Sequence, residues 1–255
     1  MSLAAIALVL LAAVLHAGWN ALAKRRSDVL TFYWALTLVA LVVYAIPFAV
    51  LVRRHPPTWD GVPFLLASSL AEVAYGVFLA RAYARNDLSF AYPVARGTGA
   101  LLVPLVALPV FGERPTAAAW LGIGMIVLGV LWLHLPALER VAARQGFGSV
   151  VSAPALLTGV AIATYSLIDA AAVRRLHPFV YLYLTYVLIA IWLAPYVLAR
   201  RQAALAVELR QGWPMVGGGI AVFGTYCIVL AAFRLAPVSY VAPMREVSII
   251  FGALI

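Results

Sequence analysis

A chain of 255 residues that is 65% apolar and 11% charged is too poor in charge for a soluble globular domain, in which about a quarter of residues are charged. Its net charge of +9 does not point to nucleic acid. The basic residues cluster at the ends of apolar runs, as Lys24-Arg25-Arg26, Arg53-Arg54, Arg174-Arg175 and Arg200-Arg201, which is how membrane helices are anchored. The single cysteine, Cys227, lies inside an apolar run and supports neither a disulfide nor a metal site.

In chain order the apolar runs predict nine membrane spans, at roughly 3–23, 30–52, 62–80, 88–111, 117–135, 153–173, 179–199, 213–232 and 237–255. The first run has no basic residue before it and three after it. That order is opposite to a cleaved signal peptide, so the run reads as a retained first helix. Connections are short, and the longest, 136–152, suits a linker between two halves.

Two halves are visible in the sequence itself. Ala82 to Pro93, AYARNDLSFAYP, returns without a gap as Ala232 to Pro243, AFRLAPVSYVAP. Tyr33, Thr37 and Pro47 match Tyr181, Thr185 and Pro195, and Trp19-Asn20 falls on Tyr165-Ser166. These matches run in one order along the chain, which is the mark of an internal repeat. The expected fold is therefore an all-α polytopic membrane protein, with a first repeat at 1–135, a linker at 136–152 and a second repeat at 153–255. The first unit has five spans and the second four, so a tenth is expected and the chain reads as cropped. An odd number of spans per unit makes the repeat inverted, an arrangement common among secondary transporters. The loop charges divide as 10 Lys/Arg on one side and 6 on the other, which weakly favours an outside N-terminus.

The two five-helix units, the elbow ending in proline and the FGERPT stretch before the fifth span resemble the drug/metabolite transporter superfamily, in its EamA-type family. The Gly-Glu motif between helices four and five of that family is similar to Gly112-Glu113, and its first-helix aromatic and polar pair is similar to Trp19-Asn20. The resemblance implies ten helices, cytoplasmic termini, and a central cavity lined by helices one, three, four, six, eight and nine. It further implies a multi-pass protein of the bacterial inner membrane. Its orientation overrides the small charge bias.

Charges inside a bilayer are costly and need a partner or a wet cavity. The candidates are His16, Glu72, Arg96, Asp169, Arg245 and Glu246. The functional reading makes Arg96 and Arg245 the holders of a carboxylate or phosphate. Glu72, Asp169 or Glu246 would meet an amine or carry a coupling proton. Trp19, Tyr75, Tyr165 and Tyr226 would be walls with polar tips, and Asn20 shares the face of His16 and Trp19. Pro93 and Pro243 are candidate hinges. Plainer roles compete: Glu72 pairing with Arg96 to lock two helices, Asp169 pairing with Arg174 at a span end, and His16 packing. Glu113 is expected to support the N-terminus of the fifth span, with Thr116 as its cap. Gly97, Gly99, Gly122, Gly124, Gly129 and the run Gly217-Gly218-Gly219 are expected to let helices approach closely.

The function expected is a secondary carrier of a small polar or zwitterionic metabolite, amino-acid-like or an organic anion, by alternating access, proton-coupled or facilitative. The alternatives are an exporter of drugs or lipophilic cations and, less favoured, a membrane-embedded enzyme on lipid-linked substrates. The four histidines have no metal or triad spacing, so no enzyme activity, metal or cofactor is expected. The expected partners are a small-molecule substrate and the bilayer, without nucleic acid, in a monomer or homodimer.

Overall fold

The computed structural model describes the chain apart from residues 24–27, 86–87, 134, 136–138, 140–151, 250 and 252–255, and apart from the side chains of 19–23, 84–85, 88–92 and 133. Most of the expected linker, and most of the first elbow's side chains, fall outside the described residues. What is described is helical throughout. Five helices are long and apolar enough to cross a membrane, and a sharply bent pair makes a sixth candidate. Many large apolar side chains point outward, among them Ile46, Leu121, Leu128 and Trp132. In a chain this apolar, that surface is the lipid-facing one.

The helices are α1 (Leu3–Ala23), α2 (Val29–Val43), α3 (Ala45–Arg54), α4 (Val62–Arg85), α5 (Leu88–Phe111) and α6 (Ala117–Leu133), followed by α7 (Ala153–Ala172), α8 (Pro178–Arg200), α9 (Gln202–Leu209), α10 (Trp213–Leu235) and α11 (Val238–Arg245). Asp28 caps α2, its Oδ1 accepting from the Thr31 N–H at 3.1 Å. Thr116 caps α6 as expected, its Oγ1 accepting from the Ala119 N–H at 3.2 Å.

The structure corrects the predicted spans in three places. The second span, expected at 30–52, is two helices bent by 63° at Tyr44. Pro47 lies in the first turn of α3, where its missing N–H costs nothing, whereas in a continuous helix its ring would clash with the carbonyl four residues back. The loop after α8 contains a further short helix, α9, which packs on α2 and α8. The ninth span, expected at 237–255, is interrupted after Arg245: Glu246 and Val247 form a turn, and Ser248, Ile249 and Phe251 are helical again. Pro243 carries no N–H, and the backbone tightens into i→i+3 bonds, Glu246 N–H to Pro243 O at 3.0 Å and Val247 N–H to Met244 O at 3.1 Å.

The packing has a paired character. The most extensive contacts are α4 on α7, α5 on α7, α1 on α10, α2 on α10, α4 on α8 and α5 on α11. Two cross-helix bonds correspond as well. Tyr44 donates its O–H to Ile220 O at 3.1 Å, joining α2 to α10, and Trp192 donates its indole N–H to Ser69 Oγ at 3.1 Å, joining α8 to α4. The second elbow breaks the helix for two residues after Leu235.

Close approach uses fewer glycines than expected. A Cβ at Gly99 would lie 2.8 Å from Ile162 Cγ2, and one at Gly219 2.6 Å from Val39 Cγ1. By contrast Gly97, Gly122, Gly124, Gly129 and Gly217 have nothing within 4 Å of that position; they do not mediate tight packing in this arrangement. The tightest seam is at Gly159 on α7, where a Cβ would sit 2.7 Å from the Ala95 carbonyl and 2.5 Å from Thr98 Cβ. Backbone cannot yield as a flexible side chain can. Gly159→Ala is therefore expected to cost about 1–3 kcal/mol and to lower the melting temperature in detergent, while Gly122→Ala leaves it unchanged.

Candidate functional site

A cavity lies between the helices. His16 enters it from α1, Glu72 and Tyr75 from α4, Arg96 from α5, Tyr165 from α7 and Arg245 from α11. α10 contributes Tyr226 and Thr225. The first, third, fourth, sixth, eighth and ninth predicted spans thus all reach the cavity, as the resemblance implied. Two more do so through Tyr33 of α2 and Tyr186 of α8. Of the nine substrate-binding candidates read from the sequence, seven line the cavity; the side chains of Trp19 and Asn20 lie outside the described residues. Asp169 and Glu246 are buried but stand behind the lining.

The charged groups are held in three arrangements. Glu72 accepts a hydrogen bond at Oε2 from the Tyr33 hydroxyl, 2.8 Å away, and its Oε1 is buried without a hydrogen-bond donor. Asp169 is saturated: Oδ1 accepts from Ser68 at 2.5 Å and from the Tyr181 hydroxyl at 2.6 Å, and Oδ2 accepts from the Tyr226 hydroxyl. Glu246 lies between two arginines. Its Oε2 is 2.6 Å from Arg96 Nε and its Oε1 is 3.9 Å from Arg245 Nε. The closer contact is an ion pair with the carboxylate oxygen off the N–H axis. Arg96 also donates from Nη2 to Ser248 Oγ at 3.5 Å.

These pairings replace two plainer expectations. Glu72 does not neutralise Arg96, and Asp169 does not pair with Arg174. The latter reaches Glu113 at 3.7 Å and covers the Phe111 ring at 4.7 Å. Glu113 itself has a different role from the one expected, and caps α11 rather than α6: its Oε1 and Oε2 accept the backbone N–H groups of Val238 and Ser239 at 3.1 and 2.9 Å.

Arg245 is the cation with most capacity left. Its Nε and Nη2 are buried and lack hydrogen-bond acceptors, and its guanidinium stands 6.0 Å from the centroid of Tyr226. The tyrosines form a wall of edge-to-face contacts, Tyr75 to Tyr165 at 5.9 Å and Tyr165 to Tyr226 at 5.9 Å. The cavity therefore offers a carboxylate acceptor, a guanidinium donor fork and an aromatic surface.

Residues 3–135 match the EamA-like transporter family. The chain belongs to that family. It is also similar to a multidrug transporter of Pseudomonas aeruginosa, with 50% identity over 44 residues. That stretch is 17% of this chain and 40% of the relative's length. Family membership and the apolar helices make the protein a multi-pass membrane protein.

Tyr33, Tyr186 and Thr225 were not read as site residues. Tyr33 carried a signal, since it is one of the repeated positions with Tyr181, and both hydroxyls hold a buried carboxylate. Tyr186 and Thr225 carried none, because a tyrosine or threonine in an apolar helix is ordinary.

Outside the spans, the rings of His55 and His177 stack at 4.6 Å. Burial, with the neighbouring His55 and Arg234 adding to it, holds His177 below the usual histidine range, so the ring is neutral in neutral solution.

Proposed function

We propose that the protein carries a small zwitterionic metabolite by alternating access between two inverted repeats. Its acid group meets Arg245 and its amine meets Glu72. The observation that carries this reading is the incomplete bonding of these two groups: Glu72 Oε1 and Arg245 Nη2 are buried polar atoms of cavity-lining residues with no hydrogen-bond partner among the described residues. A ligand bearing both signs satisfies both, and a buried unsatisfied group is costly enough to need such satisfaction. The paired packing of α1 on α10 with α7 on α4, and of α2 on α10 with α8 on α4, supports the repeat, because each pair exchanges with the other when the two halves are swapped. A midplane site between such halves is the arrangement that rocking transporters use.

Glu72 is the coupling group in this reading. Alone among the described acids it lines the cavity, and Asp169 and Glu246 are engaged with other side chains. Glu72→Gln is expected to flatten the pH dependence of uptake into proteoliposomes while uptake under a fixed gradient persists at a reduced rate. A profile that keeps its wild-type slope would remove Glu72 as proton carrier.

A second reading, export of lipophilic cations, is favoured by the tyrosine wall beside Glu72, since aromatic faces attract organic cations. A thermal-shift screen of the purified protein against amino acids, organic acids and quaternary amines separates the two. Stabilisation by amino acids that is lost in Arg245→Ala supports the zwitterion. Stabilisation by quaternary amines alone, unaffected by that substitution, supports the cation.

A further inference from the structure

Resting on the alternating-access reading, we infer that Glu113 is a gating residue: its carboxylate locks one face of the transporter shut by tying the 112–116 loop to the start of α11. Gly112 ends α5 with a φ of +65°, the left-handed turn that stops a helix and suits glycine. The turn directs the following glutamate away from its own helix. Glu113 then receives two neighbouring N–H groups, of Val238 and Ser239, in the first turn of α11, where the helix dipole favours a negative charge. Hydrogen bonds to a carboxylate are stronger than neutral ones. Two further ties run alongside. The Thr116 N–H donates to the Tyr240 hydroxyl at 3.1 Å, and Arg174 lies 3.7 Å from Glu113 Oε1. The lock thus joins the 4–5 connection of the first repeat to the second repeat's elbow.

The length of α11 makes this a gate rather than a simple cap. The helix is eight residues long. Glu113 holds its first turn and Arg245 is its last residue, about 10 Å on. Releasing the carboxylate frees the helix that carries the substrate-facing arginine, which links opening of this face to the occupied site.

The test reads access without any transported compound. In a Cys227→Ser background, Val229→Cys places a single thiol on the cavity wall, and vesicles with the Glu113 face outward are treated with a membrane-impermeant maleimide. Glu113→Ala is expected to raise the labelling rate at least about tenfold, the effect of losing even one charge-assisted bond on the closed state. Arg174→Ala, which spares those bonds, is expected to change it by less than about twofold. A monodisperse Glu113→Ala protein that labels at the parent rate overturns the gate. If that variant fails to fold, Val238→Pro carries the test. It deletes one donor at the first helical position, where proline is tolerated, and Pro237 before it is already extended with ψ 141°. Faster labelling supports the gate and an unchanged rate overturns it. Raised labelling in a protein that no zwitterion stabilises leaves the gate standing and removes the substrate reading.

Discussion

Arg96→Ala is expected to destabilise the protein severely rather than silence it. The Arg96 guanidinium is buried 2.6 Å from Glu246, itself only 1% exposed at its side chain. Removing one member of a buried ion pair leaves the other uncompensated, at a cost of about 3–5 kcal/mol. Arg245 stays 3.9 Å from the same carboxylate and offsets part of that loss. The measurement is the melting temperature in detergent, together with yield from the membrane. The decisive control is Arg96→Met combined with Glu246→Met, which removes both charges. It is expected to melt well above Arg96→Ala, because two apolar groups replace a pair instead of stranding one charge. A double variant no more stable than Arg96→Ala would mean that the pair is not what Arg96 supports.

Arg245→Ala is expected to do the opposite, abolishing transport with little loss of stability. Its guanidinium is buried but Nε and Nη2 lack acceptors, and its removal leaves Glu246 still paired with Arg96. The fold therefore loses a cost as well as a contact. The substrate loses the donor fork that receives its acid group, an interaction of the charged-hydrogen-bond class worth about 1.5–3 kcal/mol. Uptake in proteoliposomes is expected to fall below detection while the melting temperature stays close to that of the parent. Arg245→Lys is expected to recover little, because an ammonium lacks the planar fork. Normal uptake by Arg245→Ala would end the role given to this residue. The contrast with Arg96 matters, since the sequence alone treats the two arginines as equivalent: each follows the proline of its elbow by a few residues.

Much of the site was legible from residue type and position. Charges in apolar helices are costly wherever they sit, so Glu72, Arg96 and Arg245 announce a polar interior without any knowledge of neighbours, and all three line the cavity. Helix limits were legible where local signals are strong. The stretch 88–111 is one helix as expected, closed by Gly112, and Thr116 caps the next. The bend at Tyr44 and the turn after Arg245 were not foreseen. Pro47 and Pro195 are equivalent in the sequence, yet α2 breaks near the first and α8 runs through the second.

Partnerships were not legible. Asp169 binds hydroxyls 101, 12 and 57 residues away, and Glu113 reaches backbone 125 and 126 residues away. Glu113 was read as serving the helix that follows it, because sequence reasoning sees only neighbours along the chain.

The sequence by itself determined the class of this protein, its helices, the charges in its interior and the recurrence of its elbow, since these follow from composition, spacing and the cost of burying charge. Only the tertiary structure decided which carboxylate holds which donor: Tyr33 on Glu72, Arg96 on Glu246, and α11 on Glu113. The reason is geometric. A helix turns 100° per residue, so a small change in its rotation or height exchanges one partner for another without altering any pattern that can be read along the chain.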